Sequence, residues 1–182
     1  MPTSLIFGIV TALAAILAWR LALVWLRYRG KHLVTCPENQ NPAGVSLSVG
    51  HAVLTGIGHV PHLRLNECSR WPEKAGCGQE CLNQIRESGP DCLIRNIVAK
   101  WYRGKSCAAC GQSMDTVDWT GNHPALLMDG GSSMEWNEVP ADTLHETLAG
   151  AQPLCFACHT VKRMVREHPE LVIDRHRTRI SN

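Results

Sequence analysis

The sequence predicts an α+β fold in which one N-terminal transmembrane helix precedes a small, cysteine-rich domain stapled by metal. Three observations lead there. The first 19 residues carry no charged side chain, whereas all 16 acidic residues and 15 of the 18 basic ones follow residue 30. Nine cysteines occur in 182 residues, and four of them form two Cys-x2-Cys pairs. The stretches between them alternate short strand-like and helix-like patterns, with no internal repeat and no low-complexity tract. An apolar content of 45% excludes disorder by composition, and the near-neutral part beyond residue 30 excludes a globally basic nucleic-acid binder.

Residues 5–26, LIFGIVTALAAILAWRLALVWL, are interrupted only by Arg20. At ~1.5 Å per residue such a helix is about 33 Å long, enough for a hydrocarbon core of about 30 Å. Trp19, Trp25 and Tyr28 lie toward its C-terminal end, where amphipathic rings settle at an interface, and Arg20 is near enough to snorkel there. A cleaved secretory leader needs a basic start and a small-residue cleavage site. Here the chain begins Met-Pro-Thr-Ser and the apolar run ends in Trp-Leu-Arg-Tyr-Arg-Gly-Lys. Residues 1–31 are therefore expected to form a retained, single-pass anchor. Arg27, Arg29 and Lys31 follow it, so the positive-inside bias places the remainder in the cytoplasm at a cell (inner) membrane. Thiols stay reduced in that compartment, which favours metal ligation over disulfides.

Beyond the anchor, residues 32–36 and 44–48 read as strands around the turn formers ENQNPA, and 63–66 as a third. Residues 77–88 and 92–104 have helical spacing, with Leu93, Ile97 and Trp101 on one face of the second. Ser88-Gly89-Pro90-Asp91 separates them. Cys107 to Gly111 is a tight turn, 124–129 and 133–139 a hairpin about Gly130-Gly131, and 140–149 a short helix. Cys155-Phe-Ala-Cys158 opens a last helix. The expected division is 32–104, a cysteine-rich α+β subdomain, and 105–182, a zinc subdomain.

Cys107-x2-Cys110 and Cys155-x2-Cys158 carry the strongest signal. A Cys-x2-Cys turn lets two thiolates grip one ion, and two such turns complete a tetrahedron at Zn–S distances of about 2.3 Å. Cys36, Cys68, Cys77 and Cys81 are expected to form a second four-thiolate site, although their spacings of 31, 8 and 3 residues are less regular. Cys77 and Cys81, four apart, would share a helix face. Cys92 either replaces one of these ligands or packs as an ordinary thiol. Inert thiols or a disulfide are the remaining readings of this half. Zinc is the expected metal, with an iron–sulfur cluster as the other thiolate-bound possibility.

The order knuckle, hairpin, then Cys-x2-Cys at a helix start resembles a treble-clef zinc finger. Residues 107–162 resemble the scaffold of the zinc-bearing HNH endonucleases: Cys107-Ala-Ala-Cys110-Gly111 is similar to the opening half, and Pro153-Leu154-Cys155-Phe-Ala-Cys158-His159-Thr-Val-Lys162 to the closing half. The resemblance implies a treble-clef-like C-terminal half. In an active member an Asp/Glu-His pair serves the catalytic metal; Asp118-Trp119 stands at that place here, so a nuclease reading implies Asp118 as ligand and His123 as base. Cys155-x2-Cys158-His159 also has the form of a c-type haem attachment motif, with His159 as proximal ligand and Met164, His123, His168 or His176 opposite it. That reading leaves Cys107 and Cys110 without a role.

No P-loop, dinucleotide fingerprint, nucleophile elbow or HExxH motif is present. Trp71, Trp101, Trp119 and Trp136 read as core residues, and His51, His59 and His62 as surface or packing residues. The basic runs at 95–105 and 162–179 read as solvated faces. The expected function is that of a membrane-anchored, zinc-binding accessory or scaffold protein, non-catalytic, presenting its metal-stabilised module to a partner. The expected partners are the bilayer, through residues 5–26, and a membrane protein, not nucleic acid. The alternative is a membrane-tethered electron-transfer protein with haem or an Fe–S cluster, and the third reading an HNH-like nuclease.

Overall fold

The structure, a computed structural model, describes residues 2–57, 59–74, 76–115, 121 and 123–171. Asp118 and Trp119 of the nuclease reading, and the basic residues from Arg175 to Arg179, lie outside the described residues. The chain divides into two compact units, Met1–Ile97 and Val98–Asn182.

The first unit opens with α1 (Pro2–Tyr28). Its span Ile6–Tyr28, of mean hydropathy 2.1, is long and apolar enough to cross a membrane, a test that a secretory leader near the N-terminus also passes. Phe7, Leu13 and Trp19 stand exposed along it. Only its last turns join the globular part, where Tyr28 is buried and Val24 packs against the same cluster. Gly30 then turns the chain at φ +102°, and a Cβ there would approach Leu93 Cδ1 to 3.1 Å, so the position suits glycine on both counts.

Three antiparallel strands follow in the order β1 (Lys31–Thr35), β2 (Pro42–Leu47) and β3 (Leu65–Cys68). Thr35 pairs with Pro42, leaving residues 36–41 as the hairpin loop. Val34, Val45, Leu47 and Leu65 form the buried face with Ile85 of α3 (Leu82–Cys92). The Gln84 side chain locks α3 to β1: its Oε1 accepts from the Thr35 N–H at 2.9 Å and its Nε2 donates to the Thr35 carbonyl at 2.6 Å. Between β2 and β3 lies α2 (Val49–Thr55), packed against α1, which the sequence pattern did not reveal.

The helix expected from residue 77 starts instead at Leu82, because Gln79 passes through the left-handed region at φ +56° and cannot belong to a right-handed helix. Cys77 and Cys81 therefore do not share a helix face: Cys77 lies in the preceding loop and Cys81 is the N-cap. The break expected near Ser88 is present as a non-helical Ser88, φ −133°, two residues before Pro90.

Helix α4 (Ile94–Tyr102) leads into the second unit. There the sheet order is β5 (Ser133–Glu135), β4 (Ala125–Leu127), β6 (Gln152–Leu154), all antiparallel. Gly130 and Gly131, at φ +92° and +83°, close the β4–β5 hairpin. Leu126, Leu144, Leu154 and Val98 are fully buried, with Leu144 and Leu148 supplied by α5 (Leu144–Gly150). Tyr102 is also buried; its hydroxyl donates to the Ala125 carbonyl at 2.7 Å, and burial pushes its pKa up. The last described helix, α6 (Phe156–Glu167), begins one residue after Cys155.

Candidate metal centre

In the second unit the loop Cys107–Gln112 is closed by backbone alone. The Cys107 N–H donates to the Gln112 carbonyl at 2.8 Å, the Gly111 N–H returns to the Cys107 carbonyl at 2.9 Å, and Ser106 bridges to Ser113. Gly111 takes φ +74°, which lets the chain reverse. This tight turn carries Cys107 and Cys110 together. The Ala108 N–H donates to the Pro153 carbonyl at 2.8 Å, fastening the turn beside β6. That contact brings it to Cys155, the N-cap of α6, and to Cys158 in the helix's first turn.

The outcome is one cluster. The sulfurs of Cys107, Cys110, Cys155 and Cys158 all lie within 4.8 Å of one another. Cys110 Sγ and Cys155 Sγ are 3.8 Å apart, and the Cys155 N–H donates to Cys107 Sγ at 3.3 Å. These thiols are free, not disulfide-linked. Four thiols at such range suit a soft or borderline metal ion with tetrahedral preference.

The electrostatics follow from crowding. Burial disfavours the Cys107 thiolate, but the backbone N–H groups of Cys155, Cys110 and Ala109 outweigh it and bring its pKa down to about 6. Cys158 is pushed up to about 12, first by its hydrogen bond to Cys155 and then by burial. Cys155 is raised by burial. The thiolate is thus favoured at Cys107, whereas burial and sulfur–sulfur hydrogen bonding favour the protonated forms of Cys155 and Cys158. Binding of a divalent cation to such thiols displaces their protons.

His159, beside this cluster in sequence, is 4% exposed, and its Nδ1 meets Ser133 Oγ at 3.0 Å, joining α6 to β5. Neither Ser133 nor this role carried a sequence signal. His123 lies edge-on to Trp136, with ring centroids 6.2 Å apart.

The first unit repeats the turn. The Cys36 N–H donates to the Asn41 carbonyl at 2.9 Å, the Gln40 N–H returns to the Cys36 carbonyl at 2.8 Å, and Gln40 takes φ +57°. Burial opposes the Cys36 thiolate, yet its pKa is lowered by the Glu38 N–H, the Arg70 guanidinium and the Asn39 N–H. Cys36, Cys68, Cys77 and Cys81 all line one cavity of about 170 Å³. Among the described residues they do not reach the mutual 4.8 Å of the other cluster. Arg70, which no motif marked, donates from Nη1 to Cys36 Sγ at 3.0 Å. Cys92 is not part of this lining; it packs beside the core, its Sγ 3.7 Å from the Gln84 carbonyl. His51, His59 and His62 are exposed.

No family model, no curated protein and no solved structure matches this chain.

Proposed function

We propose that this chain is a membrane-anchored zinc protein of the accessory or scaffold kind, non-catalytic, with Cys107, Cys110, Cys155 and Cys158 holding a structural zinc ion. The observation that carries the reading is the convergence of those four sulfurs within 4.8 Å. A structural zinc site is closed by four protein ligands, whereas a catalytic one keeps a position open for water. Four thiolates leave no such position. The succession of knuckle, β4–β5 hairpin and α6 capped by Cys155 supports a treble-clef arrangement. A c-type haem would have to withdraw Cys155 and Cys158 from the cluster and His159 from Ser133, so the same geometry favours zinc.

Anchoring rests on α1. Val24 and Tyr28 pack into the first unit, so removal of α1 would strip a buried aromatic from its core. That favours a retained helix over a cleaved leader. Arg29 lies over the Trp25 ring at 4.6 Å, a pairing suited to the interface. Leu54, 73% exposed, and Val60, 78% exposed, follow on and after α2, which packs against α1, and they would rest against the head-group region. The basic flank after α1 supports a cytoplasmic side for residues 31–182. A membrane protein is the proposed partner, held close by the anchor.

The test combines topology and metal. Alkaline-washed membranes should retain the full-length chain with one zinc bound by the second unit. A membrane-impermeant thiol reagent should label Cys110 only after the membrane is opened and the metal is chelated. A processed chain lacking α1, or labelling of Cys110 in intact cells after chelation, would overturn the anchored cytoplasmic reading. Release of the chain with covalent haem on Cys155 and Cys158 would make it an electron carrier instead.

A further inference from the structure

We infer that Cys36, Cys68, Cys77 and Cys81 form a second metal centre in the first unit, for a single thiophilic divalent cation of the zinc type. The argument begins with the backbone. Residues 36–41 and 107–112 are the same six-residue knuckle, atom group for atom group. Each opens with a cysteine whose N–H donates to the carbonyl five residues on, and each has a return bond from the fifth residue to that cysteine's carbonyl. Each has a left-handed fifth residue, Gln40 at φ +57° and Gly111 at φ +74°. Each is closed by a pair seven residues apart, Thr35 with Pro42 and Ser106 with Ser113. Glutamine takes that left-handed conformation at a cost of about 1–2 kcal/mol, so a functional constraint on the turn is implied.

The knuckle's chemical use is to aim N–H groups at a sulfur. In both turns the residues two and three after the cysteine, Glu38 and Asn39 or Ala109 and Cys110, direct their N–H groups to its Sγ. Arg70 adds a charged donor to Cys36 at 3.0 Å. Such donors stabilise the anionic sulfur of a metal thiolate. In both units a further cysteine of the set is the N-cap of a helix, Cys81 before α3 and Cys155 before α6.

The units differ at two slots. Where the second unit has Cys110 and Cys158, the first has Asn39 and Gln84. The two missing thiols are replaced from elsewhere: Cys68 at the end of β3 and Cys77 in the following loop line the same cavity as Cys36 and Cys81. The described residues from 69 to 80 form turns and irregular backbone without helix or strand, so Cys77 reaches this cavity from a loop and not from a regular element.

The experiment uses the full chain in detergent, loaded with zinc alone and weighed intact under native conditions. Two zinc ions per chain are expected; Cys36→Ser and Cys68→Ser should each keep one, and Cys92→Ser both. Site-resolved alkylation of the unmutated protein covers variants that fail to fold. Cys36, Cys68, Cys77 and Cys81 should be protected at least tenfold by zinc, and Cys92 no more than before. One zinc per chain with those four thiols alkylated as fast as in the zinc-free protein would overturn the inference, as would an iron–sulfur cluster in their place. Protection of Cys107, Cys110, Cys155 and Cys158, read in the same digest, reports separately on the second unit.

Discussion

Both units carry a cysteine knuckle of the same backbone geometry, yet among the described residues only the second brings four thiols within 4.8 Å of one another. There, Cys110 sits in the knuckle itself, so two ligands are placed by one turn, and Cys155 and Cys158 by one helix start. In the first unit the turn places Cys36 alone, and three further thiols come from a strand end, a loop and a helix cap around a cavity of about 170 Å³. A site assembled from two local pairs needs one long-range closure; a site assembled from four separate positions needs three, each with its own ordering cost. The second unit is thus preorganised by sequence-local geometry, and the first depends on its surrounding fold.

The largest expected effect follows from that contrast. Cys110→Ser should lose the metal of the second unit, whose apparent binding free energy is on the order of 10 kcal/mol, as much as the whole stability of an ordinary domain. Amide exchange should rise across residues 98–171 while β1, β2 and α3 stay protected. Protection unchanged in the second unit would mean that its packing suffices without metal. A step lower, Ile85→Ala removes a fully buried side chain shared by α3 and the first sheet, and should cost about 2–5 kcal/mol in the first unit. Denaturant unfolding monitored by unit-specific amides should leave the second unit's midpoint in place.

The two knuckles also answer each other in a pair of substitutions. Gly111→Ala has open space for its Cβ, so its cost is conformational alone, about 1 kcal/mol. Gln40→Gly should change the first unit in the opposite sense, stabilising it by a similar or smaller amount. Thermal melts of both variants decide this, and equal signs would break the equivalence.

The smallest effect concerns pH. His32 is 0% exposed in β1, and burial pushes its pKa below the ordinary 6.5, partly offset by the Gly30 backbone. The unfolded chain therefore binds more protons than the folded one between the two values, so the first unit's stability is full above about pH 6.5 and falls as pH drops below it. His32→Phe should flatten that slope in urea titrations from pH 7.5 to 5.5.

Much of this was legible in the residues, and the gaps have physical causes. Paired Cys-x2-Cys spacing marked the second cluster because its geometry is local. The β4–β5 hairpin was visible through Gly130-Gly131, since only glycine takes two successive positive φ values readily. The start of α3 was misplaced because Gln79 breaks the helix, and glutamine gives no warning of a left-handed backbone. Arg70 on Cys36 and His159 on Ser133 were invisible because each contact joins residues 26 or more apart through tertiary packing. Strand β6 is three residues long and holds Pro153, so no alternation could announce it; it exists because β4 offers it an edge.

X-ray absorption at the zinc edge of the full-length chain carrying Cys36→Ser tests the central claim most directly, since that variant isolates the second unit's site. Four sulfur neighbours at about 2.3 Å, with no nitrogen or oxygen, are the expected first shell. A mixed shell, an open position held by water, or no zinc at all would contradict a structural ion held by Cys107, Cys110, Cys155 and Cys158.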